Sequence, residues 1–431
     1  MKNRSSILLS CLLFLGVLFN ASAGGEKERA GEPAKKAEAQ KVTLINYMGE
    51  QTKINGLKLL CDSVTAKYPN VTFEIETVTY AQYTGILKTR IAADDAPDLF
   101  TGWPLQYVEL IKAGQVMDLS AKAAVKRLLP WLTQECTVDG KVYGFPLDVQ
   151  IYGAFYNKDV FDKYGLKIPT TLDEFVKVCD TLMANKVYPL VRSYKNSNYP
   201  WVEYTTIAYP MLLQENSTRN VLWQSIVDKK AKFADYPSVT EGLKLYDRLL
   251  KYTEPGDMGI DDAQGIVKLA KGERAMYLNG AWMTGDLYAA NPKGHFGFFP
   301  MTWSNDASKN QAPVGLDDVF MTYTKTKHMD GVDKFFEVAA SDQGAKIWME
   351  TAKMMSSVSG APIPGDNDVQ QDIGKVLTQG RQIARSLLID LAGEYRVKMR
   401  ADLQLFAMSA AADRNVDKFV KTLDADFASV K

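Results

Sequence analysis

Residues 42–78 read VTLINYMGEQTKINGLKLLCDSVTAKYPNVTFEIETV, and this stretch decides the fold class. Its first six residues, Val42–Tyr47, are mostly apolar or β-branched, as in a buried strand. Over residues 50–68 the apolar side chains recur every three or four positions, which predicts a helix with one apolar face. Val71–Val78 then alternates apolar and polar residues as a strand does. A strand, a helix and a second strand in this order predict a mostly parallel α/β sheet.

The same pattern continues further along the chain. Tyr80–Ala92 is predicted to be a second helix, and Asp98–Thr101 a third strand. In sheets of this kind, ligands bind beyond the carboxyl ends of the strands. The sequence therefore predicts that a ligand binds at the loops that follow Tyr47 and Phe100.

The remainder of the chain suggests two lobes joined by more than one crossing. Residues 142–157 are long and β-rich, and residues 201–271 are mainly helical. Strand signals then return at Ala275–Leu278, Phe296–Phe299 and Val319–Tyr323. From about Asp330 the pattern is helical again.

Composition excludes several classes of function. The chain has 431 residues with 51 basic and 51 acidic side chains, so the basic excess of a nucleic-acid-binding protein is missing. Two histidines leave little room for histidine-based metal sites or acid–base chemistry, and no phosphate-binding or zinc-hydrolase motif is present. We therefore expect no metal and no cofactor. Cys61, Cys136 and Cys179 form an odd set without paired spacing, and we predict that they are small buried residues.

The N-terminus predicts export. Residues 1–23 have the form of a signal peptide, with an apolar stretch at 7–19 and the small-residue pattern Ala21-Ser22-Ala23 after it. Cys11 lies at the front of the apolar stretch, which argues against a lipid anchor. Residues 24–40 are rich in charge and lack large apolar side chains, so we predict a flexible leader before a fold that starts near Lys41. The predicted location is the periplasm.

Five segments carry short motifs in a fixed order along the chain. They are APDLF at 96–100, AGQVMDL at 113–119, DGKVYGFP at 139–146 followed by YNK at 156–158, PTTLDEF at 169–175, and KGERAM at 271–276 followed by GAW at 280–282. Each motif alone is weak. Together they resemble the extracellular solute-binding proteins of sugar-type ABC importers, the family that includes maltose-binding protein.

This resemblance implies the two-lobe α/β fold of the type II periplasmic binding proteins, with hinge crossings and a ligand cleft. One lobe would comprise 41–150 plus 300–325, and the other 151–299 plus 326–431. The implied function is non-catalytic: the protein would capture a sugar or oligosaccharide between the lobes and deliver it to the transmembrane subunits of a permease. It would act as a monomer, without nucleic acid or cofactor.

A sugar site needs flat aromatic rings for the apolar C–H faces and carboxylates or amides for the hydroxyl groups. Trp282 matches the tryptophan of the family's cleft. Trp103 follows the strand that ends near Phe100, and Trp201 begins a predicted helix where the family places an aromatic contact. For each tryptophan, packing in the core is the alternative.

Polar candidates follow the strands and the predicted crossing. Tyr47 and Glu50 come after the first strand, although Glu50 could instead be a charge favoured by a helix N-terminus. Asp148 and Gln150 lie where the chain first changes lobes. The family has a carboxylate near position 150, so the amide here is a departure that affects the expected pattern of hydroxyl contacts.

Asp317 and Asp318 complete the candidates, because they follow Gly315 in a loop where the backbone can approach a ligand. Both could equally be solvated. Two other functions share these residues. A secreted glycoside hydrolase would use a carboxylate pair such as Asp148 with Asp317. A sensory protein would use the same fold and site to dock on a receptor when loaded with ligand.

Overall fold

The structure is a computed structural model that describes residues 38–215, 225–226, 228–365, 367–384 and 393–429. The predicted signal peptide at 1–23 and nearly all of the predicted leader at 24–40 lie outside the described residues. The first strand begins at Gln40, one residue before the predicted start of the fold.

The described residues form strands and helices that alternate through most of the chain. The strands are β1 Gln40–Asn46, β2 Val71–Thr77, β3 Leu99–Thr101, β4 Thr137–Val138, β5 Lys141–Val142, β6 Phe145–Pro146, β7 Asp148–Asn157, β8 Met276–Gly280, β9 Phe296–Phe299, β10 Ala312–Leu316, β11 Val319–Thr322, β12 Met355–Ser356 and β13 Gln382–Ala384. The α-helices are α1 Gln51–Lys67, α2 Tyr80–Ala92, α3 Val108–Lys112, α4 Pro130–Glu135, α5 Lys158–Lys163, α6 Leu172–Ala184, α7 Asn198–Glu215, α8 Pro237–Leu250, α9 Asp262–Ala270, α10 Thr284–Ala290, α11 Met329–Ala339, α12 Asp342–Thr351, α13 Asp368–Thr378, α14 Gly393–Met408 and α15 Val416–Ser429.

The first sheet has the strand order β2-β1-β3-β11-β6. β1 pairs in parallel with both β2 and β3, so the parallel arrangement predicted from the first hundred residues is confirmed. β11 returns late in the chain and pairs antiparallel with β3 and β6. The carboxyl ends of β1 and β3 therefore lie side by side. The turn between β10 and β11 leads into β11, which belongs to the same sheet.

The second sheet is built on β7, whose ten residues are all buried. Residues 149–151 of β7 pair with β10, and residues 148–149 pair with β12. From Tyr152 onward the same strand pairs instead with β8 and β9. The β-rich stretch 142–157 is thus not one strand: it divides into the end of β5, β6 and β7.

Two helices from the last third of the chain pack beside the first sheet. α11 contacts α1 and β1, and α12 contacts α1. The predicted lobe limits instead group these helices with the second lobe. The contact follows from sequence periodicity, since Val332, Phe335 and Phe336 form a buried face on α11. The lobe limits themselves stay a prediction.

Several local predictions are confirmed. The Thr171 hydroxyl accepts a hydrogen bond from the Glu174 amide, and the Glu174 carboxylate accepts one from the Thr171 amide, both at 3.3 Å, which makes the predicted capping box of α6. Cys61, Cys136 and Cys179 are free and buried, as predicted. In the part of the chain that the structure describes, no helix combines the length and apolarity that a bilayer span requires.

A glycine is required where β7 changes partners. A Cβ atom on Gly153 would lie 2.5 Å from the Phe298 ring and 2.7 Å from the Phe299 carbonyl oxygen. We expect Gly153→Ala to lower the free energy of unfolding by about 1–3 kcal/mol, because backbone and ring must shift to admit the methyl group. Gly256→Ala is the matched control, since a Cβ atom at that position would have no other atom within 4 Å. Urea denaturation of both variants measures the effect, and equal stabilities would contradict it.

Candidate functional site

A cavity of about 510 Å³ lies where the two sheets meet. The loops after β1 and β3 form part of its wall, so both of the loops singled out from the sequence contribute to it. The turn between β10 and β11, the middle of β7 and the first half of α7 form most of the remainder. Lys53 of α1, Trp282 after β8 and Arg400 of α14 complete it. The cavity therefore draws on residues that are far apart in the sequence.

Eight of the nine predicted site residues line this one cavity. They are Tyr47, Glu50, Trp103, Gln150, Trp201, Trp282, Asp317 and Asp318. The structure brings these side chains together, and their contact with a ligand stays a prediction.

Asp148 is the exception, because it lies beneath the cavity and is fully buried. One of its carboxylate oxygens accepts a hydrogen bond from the Asp318 amide at 2.9 Å. The other accepts one from Trp348 Nε1 at 3.1 Å. The carboxylate thus anchors the β10–β11 turn from below and does not reach the cavity.

We call Lys53, Gln150, Asp317 and Asp318 the floor of the cavity. The buried ammonium group of Lys53 holds this floor together. Lys53 Nζ, from the first turn of α1, lies 2.7 Å from Asp317 Oδ2 and 2.8 Å from Asp318 Oδ2. Asp317 Oδ1 also accepts a hydrogen bond from Gln150 Nε2 at 3.2 Å, and Trp103 Nε1 donates to the Asp317 carbonyl at 2.7 Å. Asp317 is therefore tied to α1, to β7 and to the loop after β3.

The electrostatics of this floor depend on burial. One oxygen from each of Asp148, Asp317 and Asp318 lies within 4.8 Å of the others. Burial raises the pKa of Asp148 and of Asp317, and mutual repulsion raises them further. Burial alone would lower the pKa of Lys53, but attraction to Asp317 and Asp318 outweighs it, and the pKa is raised. Lys53 is accordingly a permanent cation whose charge the two neighbouring carboxylates compensate.

Aromatic rings line the walls, and neighbouring rings fix their positions. The Trp282 ring meets Tyr152 edge-on, with ring centres 5.4 Å apart. Trp201 meets Tyr209 in the same way at 6.0 Å. Gly280 gives the Trp282 ring its space, because a Cβ atom there would lie 1.9 Å from the indole. Trp282 is partly exposed, so part of its ring is open to the cavity. Trp201 also lines the cavity, but it is only 8% exposed and packs in a hydrophobic core cluster.

A buried ion pair positions the first turn of α7. Arg192 is fully buried, and its guanidinium lies 2.7 Å from the carboxylate of Glu203, which is also buried. The Tyr194 hydroxyl donates to the same carboxylate. Because Glu203 lies two residues after Trp201, this network fixes the segment that carries Trp201 into the wall.

Several further residues of the cavity were not predicted from the sequence. They are Met48, Gly49, Lys53, Gln106, Tyr152, Asn196, Asn198, Tyr199, Val202, Tyr209 and Arg400. Tyr152 could have been found, because it lies two residues after Gln150 and so on the same face of the strand. Its hydroxyl donates to Gln150 Oε1 at 3.0 Å. Lys53 gave no signal, since a lysine in an amphipathic helix is ordinarily exposed.

Asp262, the first residue of α9, is a further carboxylate near the cavity. It is not among the residues that line the cavity. Its Oδ1 atom accepts hydrogen bonds from the Tyr277 hydroxyl at 2.5 Å and from Asn279 Nδ2 at 3.2 Å. Tyr199, at the start of α7, approaches Asp262 closely enough to lower its pKa. Burial raises the pKa of Asp262 to about 6, although these hydrogen bonds lower it in part.

Comparison with known proteins shows which family the sequence matches. The family profile described as bacterial extracellular solute-binding protein matches residues 55–346. A multiple sugar-binding protein of Streptococcus mutans is 26% identical over 346 residues, which cover 77% of each chain. An uncharacterised ABC transporter extracellular-binding protein of Pyrococcus horikoshii is 23% identical over 305 residues, covering 68% of this chain and 70% of its own.

A solved structure gives the fold. The solute-binding protein RafE in complex with raffinose superposes with a TM-score of 0.72 at 21% identity, covering 90% of this chain and 98% of that chain. The predicted type II periplasmic-binding fold is thereby confirmed.

The buried Lys53 gives a first prediction for this site. Lys53→Met should lower the free energy of unfolding by about 3–5 kcal/mol, because it leaves buried carboxylates without a compensating cation. Lys58→Met, on the exposed side of the same helix, should change it by less than about 0.5 kcal/mol. Chemical denaturation measures both variants. A Lys53 variant as stable as the Lys58 control would contradict the assignment.

Asp262 gives a second prediction, on pH. Its pKa is about 6 in the folded protein against 3.8 ordinarily, so the folded state binds more protons between these values. The stabilisation that this proton provides is lost as the pH rises from about 4 to about 7, by up to about 3 kcal/mol. Asp262→Asn removes the titration, so its stability relative to the natural protein should rise with pH. Denaturation between pH 4.5 and 7.5 tests this, and a constant difference would refute it.

Proposed function

The chain belongs to the bacterial extracellular solute-binding proteins, and from this membership we propose that it is the substrate-binding component of an ABC importer that captures an oligosaccharide in its cavity. The relatives support this assignment, since one is a multiple sugar-binding protein and one solved neighbour holds raffinose.

The observation that carries the proposal is the combination of rings and hydrogen-bonding groups in one cavity. Trp103, Trp201 and Trp282 line it together with Gln150 and Asp317. Indole faces stack on the apolar C–H faces of sugar rings, and fixed carboxylate and amide groups bind hydroxyl groups. A volume of about 510 Å³ is within the range of small-molecule sites.

We propose that the ligand leaves chemically unchanged. The hydrolase alternative requires two carboxylates that both reach the glycosidic bond. Asp148 is sealed beneath the β10–β11 turn, and both of its oxygens accept hydrogen bonds from the protein. Asp317 is held by Lys53 and Gln150. This arrangement supports binding and does not favour acid–base catalysis.

The proposed mechanism is closure of two lobes on the ligand. β7 pairs with β10 and β12 up to Ile151, and with β8 and β9 from Tyr152 onward. It therefore links both sides of the cavity. A small rotation at this strand would bring the wall that carries Trp201 and Trp282 toward Trp103. The closed monomer would then deliver its ligand to the transmembrane subunits of the permease, after export to the periplasm by the predicted signal peptide.

Trp282 gives the test of the site. We expect Trp282→Ala to weaken binding of a trisaccharide such as raffinose at least tenfold, or by about 1.4 kcal/mol, because it removes one stacking face. Trp131→Ala is the control, since Trp131 belongs to α4 and lies outside the cavity. A thermal-shift screen of mono- to tetrasaccharides first identifies a ligand, and isothermal titration then compares the variants. Unchanged affinity in Trp282→Ala would refute the site.

A separate measurement tests the absence of turnover. The protein is incubated with the saccharide that it binds, and the mixture is assayed for new reducing ends. We expect stoichiometric binding and complete recovery of the intact saccharide. Release of reducing ends that depends on Asp317 would favour the hydrolase instead.

A further inference from the structure

Two helices that position different sides of the cavity touch each other beside it. α1 carries Lys53 of the floor, and α10 begins directly after the short turn that carries Trp282 of the wall. The two helices pack together where both begin, and there Thr52 of α1 lies against Gly285 of α10. Neither Thr52 nor Gly285 is among the residues that line the cavity. The contact therefore joins the floor to the wall without belonging to the surface that a ligand meets.

Only a glycine at position 285 allows this close approach. A Cβ atom on Gly285 would overlap Thr52 Oγ1 and would lie 2.8 Å from Thr52 Cβ. Rotation of the Thr52 side chain could move Oγ1 away, but it would leave Thr52 Cβ in place. Because non-bonded carbon atoms pack at about 3.5–4.0 Å, one of the two helices would have to shift to admit a methyl group.

The backbone at Gly285 does not itself require a glycine. Gly285 is the second residue of α10, and it is not among the described glycines with a positive φ angle. In a helix alanine is ordinarily favoured over glycine, because glycine loses more backbone freedom on folding. The contact with Thr52 therefore gives the reason for a glycine here, and the local conformation does not.

Thr52 contributes bulk to this contact and not a hydrogen bond. Its hydroxyl oxygen is buried and has no hydrogen-bond partner among the described residues. The nearby charges do not draw the helices together either, since Glu50 precedes α1, Asp286 lies in the first turn of α10, and both are acidic. The separation of the two helices at this point is thus set by atoms in contact.

From this geometry we propose that Gly285 is a positioning residue of the ligand site, because its contact with Thr52 sets the distance between the floor and the wall that carries Trp282. The inference rests on the proposed function, since it gives that distance a role in saccharide binding. Thr52 directly precedes Lys53, which holds Asp317, and Trp282 lies three residues before Gly285. A methyl group at position 285 pushes the wall away from the floor. A sugar ring then no longer stacks on Trp282 while its hydroxyl groups reach Asp317.

Exchange of the glycine between the two helices tests the proposal by isothermal titration with the saccharide that the thermal-shift screen identifies. We expect Gly285→Ala to weaken binding at least about tenfold, because the added methyl group holds the wall and the floor apart. Thr52→Gly removes every side-chain atom that this methyl group would meet. The exchange variant Thr52→Gly/Gly285→Ala should therefore bind within about threefold of Thr52→Gly alone.

Two further variants of Thr52 test the contact from the other helix and leave Gly285 unchanged. Thr52→Leu enlarges the side chain and should also weaken binding about tenfold, which keeps the test decisive if Gly285→Ala does not fold. Thr52→Val keeps the size of the side chain without the hydroxyl, so its affinity should stay within about threefold of that of the natural protein. A large loss in Thr52→Val would contradict the role assigned to bulk.

Gly374→Ala is the matched control. Gly374 is a buried glycine of α13, and a Cβ atom there would likewise overlap the end of a neighbouring side chain, that of Ile363, outside the cavity lining. This variant should lose stability in urea and keep the affinity of the natural protein. The proposal is overturned if folded Gly285→Ala or Thr52→Leu binds as the natural protein does. It is also overturned if the exchange variant binds no better than Gly285→Ala, or if Gly374→Ala loses as much affinity as Gly285→Ala.

A measurement without ligand separates this inference from the proposed function. Spin labels are attached through Lys58→Cys in α1 and Ala289→Cys in α10, two exposed positions, because the three native cysteines in the described residues are buried. Gly285→Ala should lengthen the distance between the labels by about 1–2 Å, and the addition of Thr52→Gly should reverse this change. If the distance does not change, the inference fails even when saccharides bind. If the distance changes but no saccharide binds, the proposed function fails and the contact between the helices stands.

Discussion

The contact of Lys53 with Asp317 and Asp318 is the constraint on which the cavity depends. It joins the first turn of α1 to the turn between β10 and β11, and these elements are more than 250 residues apart in the sequence. Removing an ammonium group and carboxylates from water costs several kcal/mol per ion, and only close mutual contact offsets that cost. The floor of the cavity is therefore restricted to one arrangement of these charges, and Gln150 and Trp103 take their positions from it.

The walls of the cavity are positioned by packing between aromatic rings, whereas the floor is positioned by buried charges. Trp282 and Trp201 are placed by edge-on packing against Tyr152 and Tyr209, and such contacts are tolerant of small movements. A rigid polar floor and adaptable aromatic walls suit a ligand whose hydroxyl groups must be matched while its rings vary in number.

Much of the fold could be predicted from the sequence, because periodicity and capping are local. The first three strands, helix Tyr80–Ala92, strand Phe296–Phe299 and the capping box of α6 all carry their signal within a few residues. The short strands β12 and β13 carry no such signal, since pairing with distant strands creates them. The candidate site divides in the same way. Residues at strand ends were found, whereas the burial of Asp148 and Lys53 and the approach of Tyr199 to Asp262 depend on long-range contacts.

The three buried cysteines determine how the thiols of the folded protein respond to oxidants. Cys61, Cys136 and Cys179 are each sealed in the interior, and burial raises the pKa of every one of these thiols. Because the thiolate is the reactive form, oxidants and disulfide exchange have almost no access to them while the chain is folded. In the native state these three thiols therefore stay reduced in oxidising and reducing surroundings alike. Only a molecule that has opened its core can be trapped by oxidation, so damage of this kind is confined to copies that have already unfolded.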